Sequence, residues 1–136
     1  MLNPASPEST ALQRGGRVLA AMSVVLAGAG LYVLGEQPFA VGLFPPPWDK
    51  LAHVATFALV GAATGLACDT RGWRLVLCCI TGSLAIGIMD EAHQASLPGR
   101  FASWSDLGAD AVGGLLGAAL LGTARRLMRR QTPTHR

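Results

Sequence analysis

Four long apolar runs leave this chain little choice of fold. Residues 18–34, 51–67, 75–89 and 107–121 form runs of 15 to 17 residues, with Asp110 the one formal charge inside them and His53 the one titratable base. None alternates apolar and polar residues as a half-buried strand does. A hydrocarbon core about 30 Å thick takes roughly 20 helical residues. The runs are shorter than that, so their polar flanks must extend the helices into the interfaces, helped by local thinning of the bilayer. The expected fold is therefore all-α, an integral membrane bundle of four transmembrane helices.

Composition agrees. Charged residues make up only 14% of the chain and apolar residues 51%, against about a quarter charged in a soluble domain. Residues 1–16, with Pro4, Ser6, Pro7, Ser9 and Thr10, read as a disordered tail. The expected layout is that tail, a membrane domain over 17–124 and a basic tail over 125–136. The first run also resembles the core of a cleaved signal peptide, with Arg14 and Arg17 ahead of it. It is long for that role, and "LGEQPFAVGLFPPP" offers a poor cleavage site, so an uncleaved anchor is favoured.

Orientation follows from the basic residues. With the N-terminus inside, nine of the eleven Lys and Arg residues fall in the cytoplasm, leaving Lys50 and Arg100 outside. The positive-inside rule selects that arrangement, with both termini cytoplasmic. Arg125, Arg126, Arg129 and Arg130 then form a juxtamembrane anchor, and nucleic acid is not an expected partner. Cys68, Cys78 and Cys79 lack zinc-site spacing and read as free thiols in or near the membrane. The small-residue pairs Gly61/Gly65, Ser83/Gly87 and Gly113/Gly117 suit close packing of helices within the chain, in preference to dimerisation.

The acidic residues distribute the other way. Glu36, Asp49, Asp90, Glu91, Asp106 and Asp110 all fall at the outer ends of the spans. Asp49 and His53 are four apart and share a helix face, as do Asp90 and Gln94, and Asp106 and Asp110. Pro98 and Gly99 mark a turn followed by Arg100, and Ser103 or Ser105 can cap the last helix. Much of this also has a purely structural explanation. Asp49 can cap its helix, Trp48 and Trp104 can anchor it at the interface, and Arg100 can pair with Asp90 or Asp106. His53 and Asp110 sit about one turn inside their spans, where polar groups are costly, and favour a functional cleft.

At these residues the chain resembles the VanZ-like family of small bacterial membrane proteins. The resemblance rests on "DKLAH" from Asp49 to His53, "DEAHQ" from Asp90 to Gln94, "PGR" from Pro98 to Arg100 and "SWSDLGADAVGGLLG" from Ser103 to Gly117, in that order. The family commonly has asparagine where this chain has Asp110, and an ionisable group there needs a partner or a raised pKa. The family's namesake is associated with resistance to the glycopeptide teicoplanin. The resemblance thus implies a cell-envelope role, a multi-pass location in the bacterial inner membrane and a link to antibiotic resistance, but no defined activity.

Two functions follow. In the first, an extracytoplasmic polar cleft binds an amphipathic envelope ligand: a lipid-linked precursor, a lipid head group or a glycopeptide-related molecule. Arg100 and Lys50 hold its phosphate or carboxylate, with Gln94, Asp106 and Asp110 as further ligand contacts. His53 with Asp49 is then an oriented base, and Asp90 with Glu91 an acid–base pair or the oxygen ligands of a divalent cation. In the second, the polar mouth is a non-catalytic docking surface for another envelope protein. A proton or ion pathway ranks below both, because the inner halves of the spans are mostly apolar. No P-loop, nucleophile motif or H-E-x-x-H zinc signature is present, so the sequence leaves catalysis open and assigns neither a metal centre nor a cofactor.

Overall fold

The computed structural model describes residues 6–130. Its regular elements are α1 (Pro7–Gly35), a short 3-10 turn (Pro38–Ala40), α2 (Trp48–Cys68), α3 (Trp73–Gln94) and α4 (Trp104–Arg130), and the described residues contain no strand. All four α-helices are long and apolar enough to cross a membrane, so the chain is a bundle of four membrane helices. α2 and α3, of 21 and 22 residues, are about 32 and 33 Å long at 1.5 Å per residue. That matches the hydrocarbon thickness of about 30 Å. The extra length comes from polar flanks, Asp49 and Lys50 on one helix and Asp90 and Glu91 on the other.

Part of the expected N-terminal tail is helix. α1 starts at Pro7, after Ser6, whose Oγ accepts a hydrogen bond from the Ser9 N–H at 3.2 Å. Pro7 presets the first turn, and Glu8 lies at the positive end of the helix dipole. The polarity of residues 7–16 reflects the exposure of these turns, not a lack of structure. Likewise α4 runs through Arg130, so residues 125–130 are helical. The rest of both expected tails, residues 1–5 and 131–136, lies outside the described residues.

Short links fix the order of packing. Asp69, at φ 49°, and Gly72, at φ 60°, turn the chain between α2 and α3. The Pro98–Gly99 turn forms as expected: Gly99 has φ 78°, and the Arg100 N–H donates to the Leu97 carbonyl at 3.3 Å. A positive φ at the third residue is what a type II turn requires.

α4 lies against both α2 and α3, while α1 leans on α2 and touches α3 less. The seam is built from small residues. A Cβ on Gly61 would stand 2.9 Å from the Gly114 Cα, and one on Gly117 only 2.8 Å from the Ala62 nitrogen, so these backbones are in direct contact. Across the same seam the buried Ser83 hydroxyl donates to the Phe57 carbonyl at 2.9 Å. The glycine pairs therefore serve packing within the chain. Leu75, Cys79, Ala118 and Leu121 form the core cluster nearest the Asp69 end, and all three cysteines are free. Most large apolar side chains point outward, including Val25, Leu59 and Leu120, as lipid-facing helices require.

Candidate functional site

The polar ends of α2, α3 and α4 meet at one end of the bundle, beside the segment linking α1 to α2. Residues in the last turn of α3 and the first turns of α2 and α4 face one another because the glycine seam draws α4 inward. The closest case is Gly87, where a Cβ would collide with the Asp110 carboxylate. The missing side chain makes the space that Asp110 fills, and Asp110 is 0% exposed.

His53 Nδ1 lies 2.8 Å from Asp110 Oδ1. The expected partner of His53 was Asp49, one turn away on the same helix. The histidine is instead paired with α4, while Asp49 pairs with Lys50, whose Nζ lies 3.0 Å from Asp49 Oδ2. Lys50 also forms an ion pair with Asp106. Lys50 thus serves two carboxylates of the protein and does not line the pocket described below. Asp110, the one formal charge inside the apolar runs, thus has its partner in His53.

Gln94 Nε2 donates to Asp90 Oδ2 at 2.7 Å, the helical pair its spacing predicts. Glu91 Oε2 accepts from the Ser103 N–H and so ties the end of α3 to the start of α4. That bond, rather than an Arg100 ion pair, anchors the loop, for Arg100 makes no ion pair among the described residues. Nor does Asp49 cap α2: the cap position is Pro47, and no side chain bonds there. The Ser103 carbonyl opens α4, accepting from the Asp106 and Leu107 N–H groups. Trp48 and Trp104 are both exposed at this end, as interfacial anchors are.

A pocket of about 360 Å³ opens here. One side is polar, lined by Asp49, His53, Asp90, Gln94, Arg100 and Asp106. The other is apolar, lined by Leu31 and Leu34 of α1 and by Phe39, Leu43 and Phe44 of the linking segment. Glu91 and Asp110 stand behind the polar side. A ring nitrogen of His53 and one carboxylate oxygen each from Glu91 and Asp106 lie within 4.8 Å of one another, close enough to share a metal ion. Among the described residues, four oxygens at this end are buried without a hydrogen-bond partner: Asp49 Oδ1, Asp90 Oδ1, Glu91 Oε1 and Asp110 Oδ2.

Sequence reasoning missed two contributors. The apolar lip around Phe39 and Phe44 came from a stretch with no helical period, though "PFAVGLF" is too apolar for an ordinary solvent loop. The second is His93, whose ring stacks on Tyr32 at 3.6 Å and whose Nε2 lies 3.2 Å from Glu36 Oε1, fastening α1 to α3.

The opposite end is basic. Arg17 pairs with Asp69, and Arg125 donates to the Thr70 carbonyl at 2.6 Å and the Gly65 carbonyl at 3.4 Å. Arg71, Arg125 and Arg126 border a second hollow there, of about 400 Å³.

A family model described as VanZ/LLP1 matches residues 11–125. The match covers α2 and α3 whole, most of α1 and α4, and every residue of the candidate site. No curated protein and no solved structure matches the chain.

Proposed function

The chain belongs to the VanZ/LLP1 family of membrane proteins, and we propose that its pocket binds an amphipathic envelope ligand with an anionic head group. The observation that carries this reading is the two-sided lining. A polar wall with Arg100 faces an apolar wall of Leu31, Leu34, Phe39, Leu43 and Phe44. An amphiphile lying at a membrane interface presents that pair of surfaces. Arg100 contributes a planar guanidinium that forms no ion pair among the described residues, suited to a phosphate or carboxylate. Phe39, Leu43 and Phe44 are exposed, so the apolar part of the ligand can reach the pocket from the surrounding lipid.

In this reading the arginine-rich end faces the cytoplasm and the pocket opens on the outer face of the bacterial inner membrane. That is where lipid-linked envelope precursors and glycopeptides act. His53, oriented by Asp110, is the group best placed to move a proton at the ligand, with Asp49, Asp90 and Glu91 around it. A role in teicoplanin resistance would follow from binding a precursor or the drug.

Native mass spectrometry of the detergent-purified chain tests this. The expected spectrum contains an adduct of phosphate- or carboxylate-bearing lipid that disappears in Arg100→Ala. If both proteins fly as the same bare chain, the ligand reading is wrong. The polar mouth is then better explained as a docking surface for another envelope protein.

A further inference from the structure

Three side chains from three helices converge at the polar wall of the pocket: His53 from α2, Glu91 from α3 and Asp106 from α4. One ligand atom from each lies within 4.8 Å of the other two. Bonds from a divalent ion to nitrogen or oxygen run from about 2.0 to 2.6 Å. Opposite ligands of one ion therefore stand about 4 to 5 Å apart, and the three atoms fit around an ion with little closure.

Two further observations point at the same spot. Glu91 is 4% exposed, and its carboxylate is held by one oxygen only. Oε2 takes the Ser103 N–H while Oε1 is buried and unpartnered. A buried carboxylate oxygen left bare is costly unless a cation or donor meets it. His53, in turn, is engaged at Nδ1 by the buried Asp110 carboxylate at 2.8 Å. That contact fixes the ring orientation and, with the proton on Nδ1, puts the lone pair on Nε2, the arrangement by which a carboxylate prepares a histidine to bind metal.

Charge agrees. Asp49, Asp90, Glu91, Asp106 and Asp110 face Lys50, Arg100 and His53. Lys50 is shared by Asp49 and Asp106, engaging the latter through Oδ1 and leaving Oδ2. The remaining acids outnumber the positive charge near them, at a depth where unpaired charge is expensive.

We propose that His53, Glu91 and Asp106 form a site for a divalent first-row transition metal ion, with Asp110 as the positioning residue behind His53; with the ion bound, His53 is a ligand and no longer the group that moves a proton. The imidazole favours such an ion over Mg²⁺ or Ca²⁺. His53 and Asp106 also line the pocket, so the open coordination positions face it. An ion there gives an anionic head group a second positive contact beside Arg100. In that last step the inference rests on the ligand reading above. The site itself stands on the protein's own residues.

The test is Mn²⁺ titration of the full chain, stripped with chelator in detergent and without added lipid, followed by electron paramagnetic resonance. One Mn²⁺ per chain is expected, with nitrogen hyperfine coupling from the imidazole and little competition from Mg²⁺. Glu91→Gln and His53→Gln should each weaken binding by about tenfold or more, the scale on which even outer partners of a metal site matter. Glu8→Gln, at the far end of α1, should leave it unchanged. Bound Mn²⁺ without nitrogen coupling, or binding undiminished in Glu91→Gln, would mean an adventitious ion only and overturn the site. If the variants fail to fold, the coupling in the unaltered chain still decides. A lipid adduct without metal binding would sink this inference alone, and metal binding without an adduct would sink only the ligand reading.

Discussion

Gly87→Ala should damage this bundle far more than a single methyl group suggests. The added Cβ would stand 3.0 Å from Asp110 Cγ and closer still to Oδ2, while carbon atoms rest at about 3.5 to 4.0 Å. Asp110 is enclosed, so it cannot shift without disturbing its surroundings. Either the helices separate or the carboxylate swings away from His53 and breaks their 2.8 Å contact. Overpacking of this kind costs about 1 to 3 kcal/mol. A polar contact between membrane helices adds roughly 0.6 kcal/mol on average. A loss near 2 to 3 kcal/mol follows, about thirtyfold or more in the unfolding constant. The control is Gly30→Ala, where nothing lies within 4 Å of the new methyl. Alanine's better helix propensity should there stabilise by up to about 1 kcal/mol. Reversible unfolding in mixed micelles, followed by circular dichroism, measures both. Combining Gly87→Ala with Asp110→Ala should recover part of the loss, because the second change removes the atoms that collide. Equal stability of Gly87→Ala and Gly30→Ala would refute the claim that the seam holds Asp110 in place.

The other predictions concern both ends of the bundle. Arg125→Ala should destabilise by about 1.5 to 3 kcal/mol in the same unfolding assay, as Arg125 is only 19% exposed and caps two carbonyls. Arg17→Ala should cost no more than about 1 kcal/mol, since its ion pair with Asp69 is 46% and 40% exposed. Equal losses would show that exposure does not rank these contacts. In thiol labelling of the folded protein, Cys68 should react with maleimide and the fully buried Cys79 should not; prompt reaction at Cys79 would mean that the core cluster opens. In intact cells an impermeant maleimide should label Ser96→Cys and spare Cys68. The reverse pattern would invert the proposed orientation.

Much of the fold was legible because bilayer physics is nearly one-dimensional. An apolar run with no charge must become a helix long enough to cross, and the runs ending at Asp90 and beginning after Asp49 did so. Residues 7–16 were misread for a physical reason: composition reports solvent exposure, and helix capping is a separate signal. The Ser6–Pro7–Glu8 start was present in the sequence. That the residues of the candidate site gather at one end of the bundle was legible, since polar groups one turn inside a span stand out. Their pairing was not. Spacing of four gave Asp90–Gln94 correctly, because both lie on one helix and nothing competes for them. The same rule suggested Asp49–His53, where contacts from outside the helix decide: Lys50 holds Asp49, and α4 brings Asp110 to the imidazole. Periodicity cannot rank a neighbour on the same helix against one on a helix whose approach depends on glycines.

Those glycines connect packing to chemistry. Gly61 and Gly114 bring α2 and α4 to backbone contact, and Gly113 lies against Val54 and Phe57, the turn that follows His53. On α3, Gly87 leaves the space into which Asp110 reaches. A larger residue at Gly61, Gly113 or Gly114 should push α4 outward and lengthen the distances among His53, Glu91, Asp106 and Asp110 together. The seam and the polar cluster are thus one mechanical unit, because a site assembled from three helices holds its geometry only as closely as those helices approach. Damage to the seam at Gly61, well inside the bundle, should therefore weaken Mn²⁺ binding at the end of it without touching any ligand.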